Sequence, residues 1–230
     1  MARTIVIFDL NGTLIDSMPG LIDDVVGVLR DEYGVDESIS RPIMAGMASR
    51  PMQELAPTIA ELTGRGAGEG PRVFQLVNDR FVLRPAVAFP ETREVLDRLK
   101  RRGYTLVLSA TMRPDAIELR LLEADIIDYF PLRLGADPAA GLLKGADHFA
   151  IAARELGMTL EAFCRAAVSV GDGVSDMQLA REAGIVAIGR LTAPSAGSGG
   201  ADNGAGLRDA GADYVIGDLR ELEAILTGLG

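Results

Sequence analysis

Carboxylate side chains follow two apolar segments of this chain, at positions that suit phosphoryl transfer or metal binding. Asp9 comes directly after the apolar run Ile5–Phe8 and shortly before a tight turn at Asn11-Gly12-Thr13. A second apolar run leads into a glycine-containing turn that carries Asp172 and Asp176. Hard divalent cations such as Mg²⁺ prefer such oxygen-only ligand sets. Asp176 could instead cap the following helix, but capping does not account for Asp172.

Two further polar residues lie where a phosphate group could be bound. Ser109 follows the apolar run Leu106–Leu108, so its hydroxyl and the neighbouring N–H of Ala110 could hold a phosphate oxygen. Lys144 lies in a predicted loop between a strand and a helix. Taken singly, Ser109 is most simply explained as a turn serine and Lys144 as a solvated lysine. Only their order along the chain, relative to the carboxylates, supports a role for them in phosphate binding.

The elements that must position these residues alternate between short buried strands and amphipathic helices. This alternation predicts an α/β fold, a Rossmann-like parallel sheet covered by helices on both sides, with ligands at the carboxyl ends of the strands. The predicted strands are Ile5–Phe8, Tyr104–Leu108, Tyr129–Leu134, Ala166–Val170, Ile185–Ile188 and Tyr214–Ile216. The predicted helices run from Pro90 to about Gly103 and over Pro114–Ala124, Ala146–Leu156, Asp176–Ala183 and Leu219–Leu226.

A helical insertion separates the first strand from the rest of the sheet. Helical spacing begins near Leu21 and stops at Gly34, and two more helical patterns span 53–62 and 73–83. The glycine-rich stretch 64–71 between them is predicted to be a flexible connection. We therefore predict a core of residues 1–16 and 86–230 and a small helical cap domain of residues 17–85. Residues 190–206 are low in complexity, which predicts a mobile surface loop.

Composition limits the classes of function. The formal net charge of −10 argues against non-specific binding to nucleic acid or to an anionic membrane. A single cysteine, Cys164, excludes an internal disulfide and a cysteine-based zinc cluster, and we expect it to be a small buried residue. The N-terminus carries no signal-like segment, and no apolar run approaches membrane-spanning length, so we expect a cytoplasmic protein that is a monomer or homodimer.

In their order along the chain, these residues resemble the motifs of the haloacid dehalogenase (HAD) superfamily, and the inserted helices resemble its type-one cap. The resemblance spans essentially the whole chain and is nearest to the phosphoglycolate phosphatases. It implies that Asp9 is a nucleophile that forms an aspartyl-phosphate. It further implies Mg²⁺ binding by Asp9, the main-chain carbonyl of Asn11, Asp172 and Asp176. The phosphoryl group would be held by Ser109, Ala110, Lys144, Gly12 and Thr13.

Other polar residues are candidates for a functional or a structural role. In the predicted cap, the segment 46–51 resembles the one by which family caps inspect substrates. Arg50 and Arg41 are therefore candidate contacts for a second anionic or polar group, with solvated arginines as the alternative. His148, the only histidine, is predicted to lie at the surface or in packing. Arg190 and Asp213 are predicted to occupy ordinary surface or turn positions.

The chain departs from the family pattern at Asn11. Family phosphatases carry an Asp there, which protonates the leaving oxygen and then activates water, and Asn cannot exchange a proton at neutral pH. Three explanations are open. The first is that Asn11 is an introduced substitution that traps a substrate or intermediate. The second is that the leaving group needs no acid, or that the cap or the substrate supplies it. The third is that the chain is a degenerate relative that only binds ligands.

The expected function is that of a Mg²⁺-dependent phosphomonoester hydrolase acting on a small phosphorylated metabolite such as a sugar phosphate, phosphoglycolate or a nucleoside monophosphate. The alternatives are a sugar phosphomutase of the same superfamily and a non-catalytic phosphate-ligand binder. Phosphonate cleavage through a cap-lysine Schiff base is disfavoured because residues 17–85 contain no lysine. A metal-independent dehalogenase is disfavoured because Asp172 and Asp176 suggest a metal.

Overall fold

The structure, a computed structural model, describes residues 3–17, 20–45, 52–82, 84–191 and 203–229. The chain divides into two compact units. One comprises Met1–Asp16, Ala86–Thr192 and Asn203–Gly230, and the other contains Ser17–Pro85. We call the first the core unit and the second the helical unit, and each is described by itself.

A six-stranded parallel sheet forms the centre of the core unit, which confirms the predicted α/β fold. The strand order is β3-β2-β1-β4-β5-β6, so the chain builds outward from β1 on one side and then returns to β1 on the other. In such sheets ligands bind where this reversal occurs, at the carboxyl ends of the strands. The strands are β1 Ile5–Phe8, β2 Thr105–Ser109, β3 Leu132–Leu134, β4 Ala167–Gly171, β5 Val186–Arg190 and β6 Tyr214–Ile216.

Both faces of this sheet are buried. Along β1, Val6 and Phe8 belong to one hydrophobic cluster, and Ile5 and Ile7 belong to the cluster on the opposite face. A strand covered on both sides requires a continuous apolar run instead of an alternating one. This requirement is why the four residues before Asp9 could be recognised from the sequence.

In its described residues, the helical unit contains four α-helices around an apolar cluster of its own, which includes Val25, Leu29, Ile59 and Val77. The flexible connection predicted at 64–71 is wrong, because a 3₁₀ turn at Ala67–Glu69 precedes the last helix. The Tyr33 hydroxyl donates to Glu69 Oε2 at 2.8 Å and thereby ties this segment down. The helices are α1 Leu21–Tyr33, α2 Glu37–Ala45, α3 Met52–Leu62 and α4 Gly70–Val82. Helix α2 was not predicted, because Pro42 lies inside it and proline disfavours helix interiors.

The described part of the core unit contains seven further α-helices: α5 Thr92–Arg101, α6 Pro114–Glu123, α7 Ala146–Glu155, α8 Leu160–Ala166, α9 Val174–Glu182, α10 Asn203–Asp209 and α11 Leu222–Gly228. Helix α8 was not predicted; Thr159 Oγ1 caps it by accepting the Ala162 N–H at 3.2 Å. It contains Cys164, which is a free and buried thiol, as expected.

Several boundaries differ from the sequence prediction. The predicted strand Tyr129–Leu134 begins only at Leu132, because Ile127–Tyr129 form a 3₁₀ turn. The predicted mobile loop 190–206 is wrong at both ends, where β5 extends to Arg190 and α10 begins at Asn203. Its residues 192–202 lie outside the described part of the chain. None of the helices in the described ranges is long and apolar enough to cross a bilayer.

Candidate active site

Three carboxylates meet at the carboxyl ends of β1 and β4. Asp9 follows β1, and its N–H donates to the Val170 carbonyl of β4 at 2.9 Å. Asp172 follows β4, and Asp176 lies in the first turn of α9. Carboxylate oxygens from all three lie within 4.8 Å of one another. This oxygen-only set, drawn from two adjacent strand ends, fits a hard divalent cation.

Lys144 joins two of these carboxylates. Its Nζ donates to Asp9 Oδ1 at 2.5 Å and to Asp176 Oδ1 at 2.5 Å. Only 12% of the Lys144 side chain is exposed. Burial alone would lower the pKa of this ammonium, but the carboxylates of Asp9 and Asp176 outweigh it and raise the pKa. Lys144 is therefore a permanent positive charge beside Asp9.

One ammonium does not neutralise three carboxylates, of which Asp176 is buried and Asp9 and Asp172 are half-buried. Burial, together with the Asp176 carboxylate, raises the pKa of Asp9 to about 6, although Lys144 opposes the rise. Burial and the negative charges of Asp9 and Asp176 raise the pKa of Asp172 to about 8. The negative charge of the site thus exceeds its positive charge, and this excess supports the fit of a divalent cation.

Two glycines make room for these carboxylates. A Cβ on Gly12, whose φ is +80°, would lie 2.1 Å from Asp172 Oδ2. A Cβ on Gly171 would lie 2.5 Å from Asp176 Oδ2. Real Cβ atoms do not approach oxygen so closely, so the carboxylate cluster requires glycine at both positions.

The turn after Asp9 is held by its own polar groups. The Gly12 N–H donates to the Ile15 carbonyl at 2.8 Å. The fully buried Thr13 hydroxyl donates to Asp172 Oδ1 at 3.3 Å. Gly12 and Thr13, predicted as phosphoryl contacts, are therefore brought to the site, where these two groups maintain the turn and orient Asp172.

Arg190 supports the same turn from inside the protein. Its Nη1 donates to the Thr13 carbonyl, its Nη2 lies 2.6 Å from Glu91 Oε1, and its guanidinium stacks 3.7 Å from the centre of the Phe89 ring. Both partners of the Arg190–Glu91 ion pair are buried. The prediction of an ordinary surface or turn position is thus wrong for Arg190. Asp213, by contrast, is exposed and accepts the Ala187 N–H at 2.8 Å.

Ser109 reaches the site, whereas the Ala110 N–H is otherwise engaged. Ser109 lines a cavity of about 10 Å³ together with Asp9, Lys144 and Asp176. The Ala110 N–H donates to the Leu134 carbonyl at 2.9 Å and so extends the hydrogen bonding between β2 and β3. The predicted use of this N–H for phosphate binding does not agree with that arrangement.

His148 is an unforeseen neighbour of Ser109. Its side chain is fully buried, so the surface alternative is excluded. Nδ1 lies 2.8 Å from Ser109 Oγ, and Nε2 lies 3.2 Å from the Gly135 carbonyl oxygen. A sequence signal was available, because His148 lies four positions before Ala152 and so shares the buried face of α7.

Asn11 is brought close to the site, but its amide faces the loop after β2. Nδ2 donates to Met112 Sδ at 2.9 Å, and Oδ1 is buried without a hydrogen-bond partner among the described atoms. Of the two candidate cap contacts, Arg50 lies outside the described residues. Arg41 pairs with Asp23 and Glu37 on the exposed surface of the helical unit.

A carboxylate paired with a buried lysine, beside two more carboxylates at the switch point of a parallel sheet, defines an enzyme site. The model of the haloacid dehalogenase-like hydrolases matches residues 4–184. The chain therefore belongs to the haloacid dehalogenase-like hydrolase family, and within it to the phosphatase type.

Individual relatives agree with this placement. The chain is 33% identical over 200 residues to a protein named probable phosphatase IndB from Dickeya dadantii, covering 81% of this chain and 80% of the relative. It is 30% identical over 191 residues to a phosphoglycolate phosphatase from Mesorhizobium japonicum, covering 80% and 81%. A haloacid dehalogenase-like protein of unknown function from Agrobacterium tumefaciens has the same fold, with a TM-score of 0.75 at 22% identity over 99% of both chains.

Proposed function

We propose that this protein is a Mg²⁺-dependent phosphomonoester hydrolase that acts on a small phosphorylated metabolite through an aspartyl-phosphate on Asp9. The observation that carries the proposal is the position of the Lys144 ammonium, which contacts both Asp9 and Asp176 at the carboxyl ends of β1 and β4. An anionic phosphoryl group needs fixed positive charge to approach a carboxylate nucleophile, and a protein of net charge −10 must supply that charge locally.

In the proposed reaction, an Asp9 carboxylate oxygen attacks phosphorus. The new bond from this oxygen to phosphorus forms as the ester P–O bond breaks, and the leaving oxygen takes the electron pair. Water then attacks the phosphorus of the aspartyl-phosphate and loses a proton to the solvent as the bond from the Asp9 oxygen to phosphorus breaks. This step releases inorganic phosphate and restores the Asp9 carboxylate. Lys144 keeps Asp9 oriented and offsets the repulsion between Asp9 and the phosphoryl oxygens.

The side chains of Asp9, Asp172 and Asp176, together with the main-chain carbonyl of Asn11, would hold the metal ion. When bound, Mg²⁺ supplies positive charge that polarises the phosphoryl group. Thr13 and Gly12 contribute by keeping Asp172 in place. This assignment is supported by the raised pKa of Asp172, because the charge of a bound cation would offset the burial and the neighbouring carboxylates that raise it.

The substrate class follows from the family and from the helical unit. The Mesorhizobium relative is named a phosphoglycolate phosphatase, which supports a small soluble phosphate ester as substrate. We propose that residues 17–85 serve as the substrate-selecting cap and that Arg50 contacts a second polar or anionic group of the substrate. Nothing in this proposal requires nucleic acid or a membrane, and we expect the enzyme to work in the cytoplasm.

Covalent trapping tests the proposal. The protein is mixed with p-nitrophenyl phosphate and Mg²⁺, quenched rapidly in acid and weighed intact by mass spectrometry. We expect one added phosphoryl group, absent from Asp9→Asn, and we expect EDTA to abolish turnover until Mg²⁺ is restored. Binding of phosphate esters without turnover would favour the non-catalytic binder. On a sugar phosphate, transfer of the phosphoryl group to another hydroxyl without phosphate release would favour the mutase.

A further inference from the structure

We propose that Ser169 is a positioning residue for Lys144, and that it acts through one water molecule bound in the small cavity behind the carboxylate cluster. The inference rests on the proposed function for its catalytic consequence, whereas the water site itself depends only on the geometry of the core unit. Ser169 lies in the middle of β4, with an apolar residue on either side of it, and the mechanism does not use it.

The side chain of Ser169 points toward the helices that carry the site. Ser169 pairs in register with Ile7 of β1, and residues in register on neighbouring parallel strands face the same side of the sheet. Ile7 belongs to the hydrophobic cluster that also contains Phe149 of α7 and Met177 of α9. The Ser169 hydroxyl therefore lies on a face that packs against helices, where a polar group needs a hydrogen-bond partner.

The Ser169 hydroxyl has no such partner among the described residues, although the residue is only 8% exposed. Buried polar side chains are in most cases bonded to protein or to ordered water. Ser169 lines the cavity of about 10 Å³ together with Asp9, Ser109, Lys144 and Asp176. One buried water molecule needs about this much space, so the cavity has room for a single water.

This cavity also offers the polar partners, about two to four in number, that a buried water needs. The Lys144 ammonium carries three N–H groups, and Asp9 and Asp176 each accept one of them. The third N–H has no acceptor within the described ranges and can donate to the oxygen of the water. The Ser169 hydroxyl can donate to the same oxygen.

Ser109 faces the cavity as an acceptor. His148 Nε2 lies 3.2 Å from the Gly135 carbonyl oxygen, which can only accept, so Nε2 carries a hydrogen. Burial lowers the pKa of His148, and the neutral ring has a lone pair on Nδ1. Nδ1 lies 2.8 Å from Ser109 Oγ and accepts the hydroxyl hydrogen. The serine oxygen keeps lone pairs, which can accept a hydrogen from the water but give nothing to a phosphoryl oxygen.

With this water bound, each hydrogen of the Lys144 ammonium has its own acceptor. An ammonium on a flexible four-carbon side chain that is held at only two points can still turn about them. The third bond fixes the ammonium between Asp9 and Asp176, so Asp9 keeps the orientation from which it attacks phosphorus. Lys144 then acts on the phosphoryl group through its charge and not through a hydrogen bond, in agreement with its part in the mechanism.

Ser169→Thr and Ser169→Val test the hydroxyl while the shape of the side chain is held constant. Threonine and valine are both branched at Cβ and both suit a strand, but only threonine keeps the oxygen. Valine removes a donor that the water needs. Val168→Ala is the control for packing, because it truncates a buried side chain on the opposite face of the same strand.

Crystal structures and lysine NMR test the water site independently of catalysis. A high-resolution crystal structure should show an ordered water within hydrogen-bond distance of Lys144 Nζ and Ser169 Oγ in the unsubstituted protein. The same water should be present in Ser169→Thr and absent from Ser169→Val. The chain has two lysines, Lys144 and the exposed Lys100, so ¹⁵N labelling of lysine gives two ammonium signals. The Lys144 signal should shift in Ser169→Val and not in Ser169→Thr, with Lys100 unchanged as the internal reference.

The catalytic consequence appears in the rate at which Asp9 is phosphorylated. Rapid-quench measurement of the phosphoryl adduct formed from p-nitrophenyl phosphate gives this rate separately from the breakdown of the adduct. We expect Ser169→Val to slow adduct formation by about 3- to 10-fold, the worth of one buried hydrogen bond, and Ser169→Thr to stay within about 2-fold. Val168→Ala should lower the unfolding temperature and leave the rate of adduct formation unchanged.

Three results would overturn the inference: no ordered water in the unsubstituted protein, an unmoved Lys144 signal in a folded Ser169→Val variant, or equal slowing by Thr and Val. The crystal structure of the unsubstituted protein decides the water site even where a variant fails to fold. The proposed function fails separately, if no adduct forms on Asp9 while the water and the Lys144 signal behave as expected. If the adduct forms and the Ser169 series fails, only the role of Ser169 is wrong.

Discussion

At the scale of single residues, Asn11 and Asp172 control what the site can do. The Asn11 amide donates to Met112 and offers no group that could exchange a proton with a leaving oxygen or with water. Asp172 lies beside two other carboxylates. Among the described residues, Thr13 is the one whose side chain donates a hydrogen bond to the Asp172 carboxylate. We therefore expect Asn11 to limit the rate of turnover and Asp172 to make the stability of the protein depend on pH and on a bound metal ion.

We expect Asn11→Asp to accelerate breakdown of the aspartyl-phosphate by about 10²–10⁴-fold, because a positioned carboxylate restores general acid–base help. Attack by Asp9 on a substrate with a good leaving group needs no such help, so the protein that carries Asn11 should accumulate the phosphoryl-enzyme. Single-turnover rapid-quench kinetics with p-nitrophenyl phosphate measure both steps. Asn11→Ser, which adds no carboxylate, is the control. An unchanged rate in Asn11→Asp would mean that another group transfers the proton.

We expect Asp172→Asn to stabilise the metal-free protein at pH 8. The folded protein raises the pKa of Asp172 from its ordinary value of 3.8 to about 8. An acid whose pKa is raised by folding stabilises the protein at low pH, and that contribution is lost as the pH rises from the unfolded pKa through the folded one. The metal-free natural protein should therefore lose stability from about pH 4 to about pH 8.

Thermal unfolding in EDTA at pH 6 and pH 8 measures this effect. Asp172→Asn should show a smaller loss between the two pH values, whereas Asp79→Asn, which removes one charge from an exposed position, should follow the natural protein. Added Mg²⁺ should raise the unfolding temperature of the natural protein at pH 8 and have little effect on Asp172→Asn. Identical pH dependence in all three proteins would contradict the assigned cause.

At the scale of elements, the site depends on a connection between β5 and the turn after β1. Arg190 at the end of β5 bonds the Thr13 carbonyl and pairs with Glu91, just before α5. The side chains of Arg190 and Glu91 are 4% and 7% exposed. Two charges buried to this extent depend on each other, because either one alone would be uncompensated in a poorly solvated place.

We expect Arg190→Met to reduce the free energy of unfolding by about 3–5 kcal/mol, since it leaves Glu91 buried without its partner. It should also reduce kcat, because the turn that places Asp172 loses its support. Adding Glu91→Gln should recover much of the stability but not the activity, because the Thr13 carbonyl still lacks its donor. Urea unfolding and steady-state kinetics measure the two effects. A fully stable Arg190→Met protein would show that the ion pair contributes no net stability.

At the scale of the whole molecule, the chain leaves the core unit for the helical unit and returns to it at adjacent points of the core unit. The Asp16 N–H donates to the Val87 carbonyl at 2.9 Å, and Ile15 pairs with Ala88 in an antiparallel bridge. The two hydrophobic clusters of the core unit contain no described residue from 17–85. The core unit thus has the packing and the chain closure of an independent domain.

We expect a protein in which residues 18–84 are replaced by a short Gly-Ser linker to fold and to unfold cooperatively. The two chain ends that the linker joins already lie side by side in the core unit, so a short connection is sufficient. It should still hydrolyse p-nitrophenyl phosphate but lose preference among metabolite phosphates, if residues 17–85 select the substrate. Circular dichroism melting and a substrate panel provide the measurements. A preference identical to that of the full chain would assign substrate selection to the core unit.

The sequence by itself determined the sheet and most of the carboxylate site. A strand buried on both faces needs an unbroken apolar run, and the residue that follows it must emerge at the carboxyl edge. Asp9 and Asp172 could therefore be placed at the same edge of the sheet from local patterns alone, and Lys144 could be assigned to a loop between a strand and a helix. The sequence also shows glycine at positions 12 and 171, where these carboxylates leave no room for a side chain.

Only the tertiary structure decided how the remaining polar groups are paired. The bond between Ser109 and His148, the ion pair between Arg190 and Glu91 and the use of the Ala110 N–H by β3 all join residues distant in sequence. Which of these groups meet depends on how each helix packs on the sheet and on which strand is its neighbour. A buried polar group must find a partner wherever packing leaves it, and no local pattern in the chain specifies that partner.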